Sequence, residues 1–91
     1  MKVRITSSAN KQLKKCPNYI QTKFEYWVDL VFSIGLAEAR KYKGFHDEPL
    51  KGKRKDQRSI RLSKAYRAIY QELAEGEFEI IEVLEVNKHE Y

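Results

Sequence analysis

The sequence predicts an α+β fold in the order β-α-α-β-β-β, a curved, mostly antiparallel sheet with two N-terminal helices packed on one face. Three observations carry this. "KVRIT" alternates apolar and polar residues, apolar residues between 20 and 34 recur at helical spacing, and the second half holds three runs rich in β-branched and aromatic residues separated by turn signals. At 91 residues the chain is expected to be a single domain, 1–91, that buries about two-thirds of its unfolded surface.

In "KVRIT", Val3 and Ile5 alternate with Lys2, Arg4 and Thr6, the period-2 signature of a half-buried strand. Thr6, Ser7 and Ser8 offer N-caps for a short helix, "ANKQLKK", with Ala9, Leu13 and Cys16 facing inward. Beyond Pro17, the residues Ile20, Phe24, Trp27, Val31 and Ile34 predict one long amphipathic helix. Phe24 and Trp27 read as core rather than as a base-stacking platform. Gly35 caps that helix, "LAEARKY" can add a helical turn, and "KGFHDEPLKGK" reads as loop. Then "RSIRL", "YRAIYQEL" and "FEIIEVLEV" make three antiparallel strands, joined at "KA" and "AEGE". In the last of them Phe78, Ile80, Leu84 and Val86 share one parity and Ile81 and Val83 the other, as in a central strand that ends at Val86.

The composition, 42% hydrophobic and 34% charged without low-complexity tracts, excludes a disordered chain. Cys16 is the lone cysteine, so no internal disulfide is expected, and "MKVRITSS" holds no apolar stretch for a signal peptide or membrane span. A cytoplasmic protein without metal or cofactor follows as the expectation, since His46, His89 and Cys16 lack metal-ligand spacing. Net charge is +5, and its distribution is uneven. Lys51, Lys53, Arg54, Lys55, Arg58, Arg61, Lys64 and Arg67 face one acid, Asp56, across 51–67, whereas seven glutamates accompany Lys88 from Ala68 onward. Such segregation predicts a polyanionic or acidic partner.

Arg61 and Ser59 share one strand face, opposite Ile60 and Leu62, and Arg67 begins the next strand across the turn. If the last strand runs beside them, its end delivers His89 and Tyr91 to the same rim. Arginine, lysine, histidine and tyrosine together suit RNA cleavage, because the substrate's own 2′-hydroxyl is the nucleophile and the protein supplies proton transfer and positive charge. His89 serves as acid or base, Arg67, Arg61 and Lys53 hold the phosphate, and Tyr91 stacks on a base or orients the sugar. Each residue also has a plainer reading: His89 and Tyr91 as a solvated, frayed ending, His46 in "GFHDEP" as a turn-former, Arg67 as a charge guarding a sheet edge.

"PLKGKRKDQRSIRLSKAYRAIYQ" resembles the central segment of RelE/HigB-type toxins of the RelE/ParE superfamily, in which a "LkG" turn leads into a strand and then a "YR" strand with an apolar pair and an aromatic. The likeness follows the chain's order and length throughout and is sharpest over residues 49 to 91. It implies a toxin of a type II toxin–antitoxin system, a metal-independent endoribonuclease that enters the ribosomal 30S A site and cuts mRNA there, held inactive by a cognate antitoxin. Arg67 matches the family arginine on the scissile phosphate and Arg61 a basic position before it. "KHEY" resembles the His/Tyr endings of some members, which gives Lys88, His89 and Tyr91 their expected roles. Lys51, Lys53, Arg54, Lys55, Arg58, Lys64 and Lys88 are expected to bind RNA and ribosome. No strand carboxylate matches the general base of some members, with Glu90 a substitute. ParE-type toxins of the same superfamily act on DNA gyrase, and a chain of that kind is expected to lack the terminal His/Tyr pair.

Overall fold

A computed structural model describes residues 2–75 and 78–88. The chain runs β1 (Lys2–Ile5), α1 (Ser7–Lys14), α2 (Asn18–Ile34), α3 (Leu36–Ala39), β2 (Glu48–Pro49), β3 (Gln57–Arg61), β4 (Tyr66–Glu75) and β5 (Phe78–Lys88). The strands form one sheet ordered β1-β5-β4-β3-β2, with β1 parallel to β5 and every other pairing antiparallel. The predicted α+β order is present, with the helical turn expected in "LAEARKY" formed as the short α3 and with one addition, the two-residue β2. The segment expected as plain loop also holds two 3-10 turns, Lys43–Phe45 and Gly52–Arg54.

Thr6 joins the helical layer to the sheet. Its Oγ1 accepts from the Ala9 N–H at 3.1 Å and donates to the Leu84 carbonyl at 3.2 Å, while its own N–H donates to the Val83 carbonyl at 3.0 Å. One side chain thereby caps α1 and fixes its start against β5. Along α2, Ile20, Phe24, Trp27 and Val31 are buried, and the Trp27 ring lies between Phe24 at 6.1 Å and Tyr70 at 5.2 Å. The aromatic stripe is core, each such ring contributing about 2 to 3 kcal/mol through burial. Ile34, expected on the same stripe, is 38% exposed. Gly35 turns the chain directly after it, at φ 84° and ψ 160°, a conformation that favours glycine, and Leu36 fills the buried place.

The helices cover one face of the sheet, where Ile60, Leu62, Ala68, Tyr70, Ile81, Val83 and Val86 join the core. This corrects the expected parity of β5. Ile69 pairs with Glu85 but Tyr70 pairs with Val83, so Leu84 is an extra residue in the ladder, a β-bulge. The bulge turns Val86 to the same face as Ile81 and Val83, and sends Glu85 and Asn87 to the open face. Its disrupted ladder is repaired from α1: Thr6 takes the Leu84 carbonyl, and the Val86 N–H donates to Gln12 Oε1 at 2.8 Å. The strand also continues past its expected end at Val86, pairing Asn87 with Arg67 and Lys88 with Tyr66. Cys16 is buried, and burial pushes its thiol pKa up, so it lies among the unreactive cysteines.

Candidate functional site

Four residues, Leu62 to Ala65, connect β3 to β4 in a turn built on Ser63. Its Oγ accepts from the N–H groups of Ala65 and Tyr66, both at 3.2 Å, and its N–H donates to the Tyr66 carbonyl at 3.1 Å. Closing the hairpin in this register sets Arg61 directly opposite Arg67, with Asn87 of β5 next in the same row. Like charges placed opposite one another are destabilising. Neither arginine has an ion-pair partner among the described residues. Arg67 Nε is moreover buried without a hydrogen-bond partner among them, an arrangement that costs about 1 to 3 kcal/mol unless an anion completes it. Because β4 lies between β3 and β5, Arg67 is no guard of a sheet edge.

An open groove of about 200 Å³ lies over this end of the sheet, lined by Arg61, Lys64, Tyr66, Arg67, His46 and Glu48. The placement of His46 and Glu48 depends on Asp47. Its carboxylate, 1% exposed, accepts from Arg58 Nε at 2.6 Å and from the Tyr70 hydroxyl at 2.6 Å. Burial, with Asp47 beside it, pushes the Tyr70 pKa up to about 12, which keeps the hydroxyl a donor. Burial alone would lower the Arg58 pKa, and the hydrogen bond and charge of Asp47 reverse that, so it is raised. Arg40 completes the cluster through Tyr70, at 3.3 Å, and through Glu72. With Asp47 anchored, β2 pairs Glu48 with Ser59, and His46 is set at the rim.

Charges segregated along the chain are partly paired in space. Glu85 binds Arg54, Glu82 binds Arg4 at 3.2 Å, and Glu72 binds Arg40. Arg54, one of the expected RNA contacts, also donates to Gln57 Oε1 at 2.7 Å, and Arg58, another, is committed to Asp47. Lys51, Lys53 and Lys55 are exposed around the Gly52–Arg54 turn, and Lys88 is exposed at the end of β5. The expected site therefore divides. Arg61, Arg67 and Lys64 converge on one groove, Lys51, Lys53 and Lys55 stand apart on a loop, and Arg54 and Arg58 hold the scaffold. His89, Glu90 and Tyr91 lie outside the described residues. Two groove residues escaped the sequence reading as chemistry, His46 and Glu48, because only their spacing around a buried Asp47 marks them. Among the described residues no three His, Cys, Asp or Glu gather as a metal site, and no helix is long and apolar enough to cross a membrane.

Over residues 3–90 the sequence matches the family of ParE toxins of type II toxin–antitoxin systems, parDE. The chain belongs to this family. It is a type II toxin. No curated protein sequence matches it. Its fold is shared with the YoeB/ParE toxin from Agrobacterium tumefaciens, which is 22% identical with a TM-score of 0.71, over 99% of this chain and 100% of that one. YafQ from E. coli is 16% identical with a TM-score of 0.72, over 94% and 90% of the two chains. The RelBE2 toxin–antitoxin complex from Mycobacterium tuberculosis contains a chain 23% identical with a TM-score of 0.59, over 97% and 96%. The toxin thus shares the architecture of these proteins.

Proposed function

We propose that this toxin is a ribosome-dependent mRNA endonuclease, acting in the cytoplasm and restrained by a cognate antitoxin. The observation that carries the reading is the unneutralised Arg61–Arg67 pair, with Arg67 Nε buried and unpartnered among the described residues beside an open groove. A phosphodiester would satisfy both guanidiniums, and charge developing on its oxygens during cleavage would be stabilised most. The 2′-hydroxyl attacks phosphorus and loses its proton to a group on the His46 and Glu48 wall. The bond to the 5′-oxygen breaks, and that oxygen takes a proton from His89, leaving a 2′,3′-cyclic phosphate and a 5′-hydroxyl. Tyr91 stacks on a base or orients the sugar, and Lys51, Lys53, Lys55, Lys64 and Lys88 bind ribosomal and messenger phosphates.

The family designation favours a second reading, a toxin that acts on DNA gyrase through surface contacts. Induction in cells followed by mapping of transcript ends separates the two. New ends inside translated frames support cleavage, whereas intact transcripts with gyrase-dependent DNA damage support the second reading. The antitoxin partner is supported by RelBE2, which is a toxin–antitoxin complex. An acidic or amphipathic segment laid across the groove would neutralise Arg61 and Arg67 and exclude mRNA together. Purified antitoxin is expected to abolish ribosome binding, and a complex that still cuts at full rate would contradict this placement.

A further inference from the structure

Strand β5 is longer than the strand that covers its outer edge. β1 pairs with Ile80 to Val83 and ends at Ile5, whereas β5 runs on to Lys88, and the stretch beyond Val83 is the one that lies beside Arg67 and Tyr66. Backbone groups on the uncovered edge need other partners. The segment that follows β1 supplies them. The Thr6 N–H donates to the Val83 carbonyl, Thr6 Oγ1 donates to the Leu84 carbonyl, and Gln12 Oε1 accepts from the Val86 N–H at 2.8 Å. Among the described residues, Gln12 is the one side chain that bonds the β5 backbone beyond its bulge. A bulge bends its strand and raises the local twist, and bulges recur beside sites where a side chain has to be re-aimed. This one separates two parts of β5. Before it, Ile81 and Val83 pack in the core; after it, Asn87 stands opposite Arg67 in the row that begins with Arg61. The bent end is paired with β4 on one side, and Gln12 holds the other from a helix whose start is capped by Thr6 and whose Ala9 is fully buried.

We infer that Gln12 is a positioning residue for the groove: its bond to the Val86 N–H sets the end of β5 against β4 and so fixes Arg67 for a phosphate. The inference rests on the endonuclease reading. Gln12 touches no substrate and moves no proton; it acts through the β5 backbone and the Asn87–Arg67 pair. A misplacement of about 1 Å caused far from the chemistry can cost on the order of a hundredfold in rate. Loss of this bond is therefore read in the rate at saturation, while ribosome affinity, carried by the exposed lysines of the proposed interface, is left unchanged.

Three variants of the full chain test this. Gln12→Leu removes the acceptor at nearly constant size, Gln12→Glu keeps it, and Val31→Ala, a truncation of the buried α2 face, controls for lost stability. Amide exchange at Val86 should quicken in Gln12→Leu and stay slow in Gln12→Glu. Single-turnover cleavage at saturating programmed ribosomes should fall by about tenfold in Gln12→Leu and remain within about twofold of the wild type in the other two. Inorganic phosphate, titrated against the Arg67 Nε–H resonance, should bind several-fold more weakly to Gln12→Leu than to the wild type. Gln12→Leu cutting at the wild-type rate would overturn the inference and leave the endonuclease reading intact. So would a rate lowered equally in Gln12→Leu and Gln12→Glu, or lowered as far in Val31→Ala, since the loss would then follow from something other than the bond to Val86. A wild-type toxin that cuts nothing would overturn the endonuclease reading, and the phosphate titration would decide this inference: weaker binding in Gln12→Leu would uphold the positioning of Arg67, and equal binding would overturn it.

Discussion

The Tyr70 hydroxyl donates to Asp47 Oδ2 at 2.6 Å, joining β4 to the turn that carries His46 and Glu48. Tyr70 is fully buried and its pKa is pushed up to about 12 from an ordinary 10.0. A folded-state value above the unfolded one contributes stability that is complete below pH 10 and disappears as pH rises towards 12. About two pKa units correspond to roughly 3 kcal/mol. Urea denaturation between pH 9 and about 12 should show this loss in the wild-type protein and a smaller one in Tyr70→Phe. Asp47→Ala, which strands the Arg58 charge and the Tyr70 hydroxyl together, should cost about 3 kcal/mol at neutral pH in the same assay.

Arg61 and Arg67 repel each other in the free protein. Replacing Arg61 with threonine should raise stability by about 0.2 to 1 kcal/mol while lowering cleavage. Arg67→Ala should slow single-turnover cleavage on the order of a hundredfold if its guanidinium stabilises the phosphate charge as proposed. Thermal unfolding and cleavage measured on the same preparations distinguish this from a purely structural pair, for which both quantities would fall together.

Lys53→Ala and Lys55→Ala should weaken ribosome binding and flatten its dependence on salt while sparing the chemical step, if each lysine makes the phosphate contact proposed for it. Arg54→Ala should behave differently. Its guanidinium binds Glu85 and Gln57, so the change should lower the unfolding midpoint with little effect on the salt slope. Binding measured across a salt series, beside urea curves, checks both.

Removing residues 89–91 leaves the described ladder whole, since Lys88 still pairs with Tyr66. The truncated toxin should unfold at nearly the wild-type denaturant midpoint, yet its cleavage should collapse if His89 and Tyr91 act as proposed. Cleavage at the full rate would leave the site with Arg61, Arg67, Lys64 and the His46 and Glu48 wall.

Much of this fold was legible because its signals are local and periodic. Ile20, Phe24, Trp27 and Val31 declare a buried helix face by spacing alone, and the alternation of Ser59, Ile60, Arg61 and Leu62 places Arg61 on the open face. The bulge at Leu84 was not legible. An inserted residue leaves an apolar run apolar, so parity counted along the strand put Val86 with Ile80 instead of with Ile81 and Val83. His46 looked like a turn residue, and it is one. That it also lines the groove of Arg61 and Arg67 depends on Asp47 finding Arg58 eleven residues away and Tyr70 twenty-three away.

The sequence by itself determined the elements, their order, and the convergence of Arg61 and Arg67 across one hairpin, because backbone periodicity and turn chemistry act between near neighbours. Only the tertiary structure decided which charges remain available to a ligand. Arg54, Arg58 and Arg40 meet Glu85, Asp47 and Glu72, whereas Arg61 and Arg67 meet each other. Electrostatic attraction depends on separation in space, and the sheet brings glutamates written late in the chain beside arginines written early. A basic stretch of sequence thus became a neutralised scaffold, an exposed lysine loop and one groove in which Arg61 and Arg67 have no acidic partner among the described residues.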